Sequence, residues 1–359
     1  EPREKKRMTA IDVTNGKAGT ATSWDRAVRL WLFFVAGLVL AMITVGGATR
    51  LTDSGLSITE WQPILGAIPP LTDAHWQEAF AKYKEIPEYH LVNKGMSLDA
   101  FKAIYWWEWG HRFLGRLIGL AFALPLAVFW FLGALRPGYG LKFAGVLALG
   151  GLQGAIGWYM VKSGLVDRVD VSQYRLALHL TVAFLILALV VWLAFELGIP
   201  EKDERASRGL RTLPLLIVGV IFLQVVLGAF VASLKGGLVY NTWPSMGGGL
   251  LPYDLMTIEP WWHNPFENPV TAQFNHRLVA YLMVALVAVE AWRTVASGAA
   301  GRARASAGLL TAGVIAQAGL GIWTLLEAVP LGLGIAHQAG AAVLLVLAVR
   351  HLHVASRPA

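Results

Sequence analysis

Eight apolar segments of roughly twenty residues each divide this chain, near 27–48, 111–133, 141–161, 176–198, 211–233, 276–295, 306–327 and 333–353. Each is long enough to cross a ~30 Å hydrocarbon core as a helix. The expected fold class is therefore an all-α polytopic membrane protein with eight spans. Composition agrees: 15% of residues are charged and 56% are hydrophobic, whereas a soluble domain carries about 25% charged residues. The net charge of +7 is scattered beside apolar spans, so it reads as topology information and not as a nucleic-acid surface. The chain has no cysteine, which excludes disulfides, thiolate-ligated metals, covalent c-type haem and cysteine nucleophiles.

Residues 1–23 are polar and rich in Gly, Thr and Lys. They are expected to form a mobile cytoplasmic tail, and they lack the apolar core of a cleavable signal peptide. An even number of spans puts both termini on one side. The segments on that side hold about twice as many Lys and Arg as the opposite loops, which favours cytoplasmic termini. The even-numbered spans then all run from outside to inside. His111, His179, His276 and His337 lie near their starts, at similar depth towards the outer face.

The second half of the chain echoes the first. Ile43–Leu56 parallels Val225–Leu238, Gln153-x3-Gly157 parallels Gln317-x3-Gly321, and Glu108–Arg112 parallels Gln273–Arg277. The offset falls from 182 (Ile43 to Val225) to 158 (His179 to His337), changing only across loops. Four spans per half preserve orientation, so the repeat is parallel. The expected architecture is two tandem, pseudo-symmetric four-helix bundles, 24–200 and 201–359, each able to hold a cofactor between facing helices. Glycines crowd the odd-numbered spans (Gly46, Gly47, Gly150, Gly151, Gly154, Gly157, Gly228, Gly313, Gly319, Gly321). Such residues allow close helix packing and also clear room for a flat macrocycle.

A lone histidine on an apolar helix is usually a hydrogen-bonded packing residue. Four at corresponding positions of a repeat point instead to ligation, because an intramembrane imidazole needs a strong partner. Two imidazoles from facing helices hold one haem iron. Zinc or copper is the weaker reading, since no carboxylate or thiolate completes a compact set. His75, His90, His263, His351 and His353 are expected to be solvated or interfacial. Arg112 and Arg277 directly follow a candidate ligand, and their guanidinium groups suit haem propionates. The alternative is snorkelling to the interface. Arg50 and Arg116 are further candidates. The first outer loop, about 49–110, is too long for a mere connector. It carries tryptophans of an interfacial belt (Trp106, Trp107, Trp109) and most of the outer acids. Glu60 follows a Gly/Ser turn after the first span, so it is placed to fold back over the first-half pocket and act on protons or a developing cation there.

The phrases Gly46–Ser57, Glu108–Leu117, Gly157–Leu165, Val171–His179, Gly237–Pro244, Gln273–Arg277 and Ala336–Gln338 closely resemble the haem A synthases, in order over about residues 25–353. The cysteine-free outer loops look like the mitochondrial and alphaproteobacterial branch. The resemblance implies an enzyme of a bacterial inner membrane that oxidises the C8 methyl of haem o to the formyl group of haem a, for haem-copper oxidases. It implies haem b on His276 and His337, haem o or haem a on His111 and His179, and an important first-loop glutamate at Glu60. The partners implied are haem o and the bilayer. Contacts with the haem o-producing farnesyltransferase, with oxidase assembly factors, with an electron-transfer partner and with second copies of the chain stay open. A non-catalytic bis-histidine cytochrome exchanging electrons with quinone would share the ligands but would not need Glu60. A transporter would place polar residues near the midplane, whereas the spans are nearly free of midplane charge and the polar cluster lies at one face.

Overall fold

The computed structural model describes residues 24–165, 169–198, 211–299 and 301–356; the expected mobile tail, 1–23, lies outside them. The described residues are helical apart from loops and one isolated bridge between Met246 and Gly249. In chain order the helices are α1 (Asp25–Leu51), α2 (Asp73–Tyr83), α3 (Pro87–Leu91), α4 (Leu98–Phe131), α5 (Tyr139–Lys162), α6 (Gln173–Glu196), α7 (Thr212–Ser233), α8 (Asn264–Glu267), α9 (Pro269–Ala296), α10 (Gly301–Leu326) and α11 (Leu331–Ala355). Eight of these are long and apolar enough to cross a membrane: α1, α4, α5, α6, α7, α9, α10 and α11. The chain is a polytopic α-helical membrane protein.

Two helices begin well before the apolar spans suggest. Helix α4 starts at Leu98, not near residue 111, where the Ser97 side chain accepts a hydrogen bond from Ala100 N at 3.2 Å. Helix α9 starts at Pro269, not near 276, where the Asn268 side chain accepts from Val270 N at 2.9 Å. Proline at the first helical position suits a helix start, because its missing N–H would be unpaired there anyway. Hydropathy marks where lipid covers a helix, whereas caps mark where the helix begins. The 34 residues of α4 rise about 51 Å at ~1.5 Å per residue, well beyond a ~30 Å core.

Helices α1, α4, α5 and α6 close a ring in which each packs on its neighbours, and α7, α9, α10 and α11 close a second. The rings meet where α1 packs on α11 and where α6 packs on α7 and α11. One apolar core runs through both, with Leu32, Phe143, Phe184, Leu187, Ile217, Leu310 and Leu345 fully buried. The first long loop is not irregular. Helix α2 and the turn into α3 pack Trp76, Phe80, Tyr83 and Ile86 against Phe101 and Tyr105 of the α4 extension, with Leu56 and Val171, as a separate small core. Aromatic stacking reinforces this cap: the Phe80 and Phe101 rings lie 5.0 Å apart.

The end of the bundle away from this cap holds buried charge. Asp25 accepts from Arg136 at 2.6 Å. Glu290, His351 and Ser306 form a buried chain: His351 Nε2 lies 3.0 Å from Glu290 Oε1, and Ser306 Oγ lies 2.9 Å from His351 Nδ1. His351, expected to be interfacial, is thus 2% exposed, because three helices converge on it. His353 lies edge-on to Trp192. His75, His90 and His263 are exposed, as expected.

Candidate functional site

The same local unit recurs four times at the cap end. A histidine near the loop end of one long helix lays its ring on a glycine of the long helix before it. The pairs are His111 on Gly46, His179 on Gly157, His276 on Gly228, and His337 on Gly321. A Cβ placed on those glycines would stand 3.0, 3.0, 3.2 and 2.8 Å from the respective rings. Only glycine lets the two helices approach so closely with an imidazole between them. The crowding is selective. A Cβ at Gly150, Gly151, Gly154 or Gly319 would meet nothing within 4 Å, so those glycines do not serve close packing. At Gly313 it would meet Leu347, an ordinary helix contact.

A glutamine one turn before the glycine braces three of the four histidines. The side-chain amide of Gln153 donates to the His179 carbonyl at 3.0 Å, that of Gln224 to the His276 carbonyl at 3.0 Å, and that of Gln317 to the His337 carbonyl at 2.8 Å. Each amide also lies 3.1–3.3 Å from a ring nitrogen of its histidine. Residues four apart share a helix face, so Gln-x3-Gly builds a clamp: glycine under the ring and amide against the backbone behind it. The signal was in the sequence, since the spacing recurs at 153/157, 224/228 and 317/321.

The His276 and His337 ring centroids are 6.4 Å apart and their planes are inclined at 78°. Two metal–imidazole bonds of about 2 Å, with the half-width of a ring at each end, span a centroid separation of that order. The residues present therefore fit an iron with two axial imidazoles. His111 and His179 occupy the corresponding places at the cap end of the first ring, on Gly46 of α1 and Gly157 of α5. Among the described residues, no group of three or more His, Cys, Asp or Glu forms a compact metal site.

The arginines beside the histidines tie down loops. Arg112 bonds Glu108 Oε1 at 2.6 Å, the Ile58 carbonyl at 2.8 Å and the Glu60 carbonyl at 3.0 Å. Arg277 donates to the Tyr240 carbonyl at 2.9 Å and the Ser245 carbonyl at 3.4 Å. Three residues before each histidine stands another tether. Glu108, 2% exposed, accepts from Ser57 Oγ and Ile58 N at 2.7 Å each, while Gln273 donates to the Tyr240 carbonyl at 3.0 Å. The repeated phrases thus hold the loop that follows the preceding long helix. Arg112 spends its donors on a buried carboxylate and loop carbonyls. Arg277 Nε and Arg50 Nε remain buried without partners. Arg50 also bridges the two rings, bonding Asp53 at 2.9 Å, Asp170 at 3.2 Å and the Ala232 carbonyl of α7 at 3.4 Å. Arg116 holds the carbonyls of Gln62 and Pro63.

Glu60 lies on this tethered loop, its own carbonyl bonded to the neighbour of His111. Its carboxylate pairs with Lys82 Nζ at 2.9 Å and accepts from Gln62 at 2.9 Å. It lines a cavity of about 290 Å³ with Arg112, Arg116, Tyr105 and Lys82. Hydrogen bonds to Glu78 and Glu60 push the Lys82 ammonium up to about 12. In α3, burial pushes the Glu88 carboxyl up to about 8, helped by the negative charges of Asp53 and Glu108.

Residues 29–349 match the family described as Cytochrome oxidase assembly protein, COX15-CtaA. The chain is 50% identical to the Heme A synthase of Parvibaculum lavamentivorans over 347 residues, 97% of each chain. It is 49% identical to the Heme A synthase of Azorhizobium caulinodans over 342 residues, covering 95% of this chain and 97% of the relative. It is 52% identical to the Heme A synthase of Agrobacterium fabrum over 329 residues, 91% of this chain and 89% of the relative.

Proposed function

This chain belongs to the haem A synthase family, COX15-CtaA, and from that premise we propose that it oxidises the C8 methyl of haem o to the formyl group of haem a. Successive hydroxylations would give a hydrated aldehyde that loses water. The observation that carries the reading is the fourfold histidine-on-glycine unit, two in each ring, in a chain half identical to enzymes of that name. His276 and His337 would hold haem b, and His111 and His179 would hold the substrate and product haem. The bound b-type haem would supply one-electron chemistry. Both termini would be cytoplasmic, with the histidine end of the bundle facing the periplasm of a bacterial inner membrane.

In this reading Glu60 is the catalytic carboxylate. Its backbone is fixed to Arg112, next to His111, and its half-exposed side chain would exchange Lys82 for the reacting carbon. A carboxylate there would take up a proton or stabilise a cation developing at that carbon. Arg277 and Arg50 each keep a buried Nε free for a propionate. Arg112 would act mainly by holding the Glu60 loop.

Haem extraction and chromatography after co-expression with a haem o source tests the assignment. Wild type is expected to yield haem b together with haem a. Glu60→Ala is expected to keep both haems bound while haem a disappears. Two bound haems and no haem a in wild type would contradict the catalytic reading and favour a non-catalytic bis-histidine cytochrome.

A further inference from the structure

The fourfold unit is broken at one place. Where Gln153, Gln224 and Gln317 stand one turn before their glycines, the fourth position, before Gly46, holds Met42. Met42 occupies the corresponding place against α4. Its terminal methyl lies 3.3 Å from where a Cβ on Gly115 would be, and Gly115 is one helical turn beyond His111. The residues one turn beyond the other three histidines are Ala183, Ala280 and Ala341. A thioether cannot donate a hydrogen bond, and among the described residues no side chain donates to the His111 carbonyl or ring.

The ring responds. His179, His276 and His337 each turn Cε1 towards their glycine, whereas His111 turns Nε2 towards Gly46. The missing donor therefore singles out His111. It belongs to the ring that holds the Glu60 cavity.

We propose that Met42 is a positioning residue that makes His111 the releasable axial ligand, so that the first ring exchanges its haem while the second retains its own. The proposal rests on the reading of the histidines as iron ligands. The logic is differential. A resident cofactor gains from a ligand whose backbone is pinned, as His276 and His337 are by Gln224 and Gln317. A haem that arrives as substrate and leaves as product needs at least one ligand that lets go. In the first ring His179 is pinned by Gln153 and His111 is not. Exchange by opening His111 alone leaves the haem tethered through His179 during turnover.

The test uses full-length protein loaded with protohaem in the second ring and haem o in the first. Transfer of each haem to excess apomyoglobin is followed by absorbance, and the axial ligation of each is read from low-temperature EPR. Met42→Gln is expected to slow transfer of haem o about tenfold, the order of one net hydrogen bond, and to shift its EPR signal while the haem b signal stays put. Gln224→Met is expected to do the reverse, making the second-ring haem exchange faster. Met42→Leu, which restores no donor, is expected to behave as wild type. An unchanged haem o transfer rate and EPR signal in Met42→Gln overturn the proposal. Should that variant not fold, an unaltered second-ring rate in Gln224→Met overturns it equally. Loss of bis-imidazole signals in wild type itself would instead strike the ligand assignment beneath it.

Discussion

The side-chain amide of Gln338 donates to the backbone carbonyl of Ile43 at 2.7 Å. This bond joins α11 to α1 across the meeting of the two rings. Gln338 directly follows His337, and Ile43 lies one turn before the Gly46–Gly47 pair. Gly46 carries the ring of His111, and Gly47 admits Gln338 itself, since a Cβ there would stand 2.6 Å from its Oε1. Adjacent glycines of one helix thus face the two histidine pairs in turn.

Gln338→Leu should therefore disturb both pairs from one position. The expected loss is about 1 kcal/mol in thermal stability for the bond itself, with more if the Ile43 carbonyl stays unpaired. Gly47→Ala should act more severely, because the Gln338 amide would have to move. Melting curves together with haem absorbance in both variants check this, and a change confined to one haem would argue against the shared contact.

The glycine under each ring gives a sharper contrast. Gly321→Ala would place a Cβ 2.8 Å from His337 Cε1, whereas Gly319→Ala, two residues away on α10, meets nothing within 4 Å. Gly321→Ala is expected to lower haem b content strongly. Gly319→Ala is expected to retain it and to gain up to ~1 kcal/mol of helix propensity. Pyridine haemochrome assays on purified protein distinguish the two.

Removing Arg112 should cost more than removing an exposed arginine. Its partner Glu108 is 2% exposed, and a buried carboxylate left without its cation costs about 3–5 kcal/mol. Arg112→Ala is expected to loosen the loop from Ser57 to Pro63 and make it sensitive to limited proteolysis. The double variant Arg112→Ala/Glu108→Ala should recover part of the stability.

The cap should carry a pH dependence. Glu88 is held up to about 8 by burial and by neighbouring acids, against an ordinary value of 4.5. Its folded state binds the proton more tightly than the unfolded state does. The stabilisation is therefore complete below about pH 4.5 and is lost as pH rises through about 8. Thermal unfolding between pH 5 and pH 9 should show a falling midpoint in wild type and a flatter profile in Glu88→Gln.

Much of this arrangement was legible in the chain. Eight spans, their parallel repeat and the four histidines follow from hydropathy and from matching phrases, because lipid imposes a simple length rule. The starts of α4 and α9 were not, since Ser97 and Asn268 cap helices outside the apolar windows. Arg112 and Arg277 also hold loop carbonyls. The loop carbonyls they hold are invisible in a sequence, because backbone acceptors have no residue type. His351 was misjudged for a related reason. Its partners Glu290 and Ser306 sit on two other helices, and only the packing of α9, α10 and α11 brings them together.

The most direct test of the central claim is a count of haem species in wild type and in four single variants, His111→Ala, His179→Ala, His276→Ala and His337→Ala. The ligand pairing predicts two bis-imidazole haems in wild type. It predicts selective loss or high-spin conversion of haem b in the last two variants, and of haem o or haem a in the first two. A single haem affected alike by all four, or two haems indifferent to any of them, would contradict it.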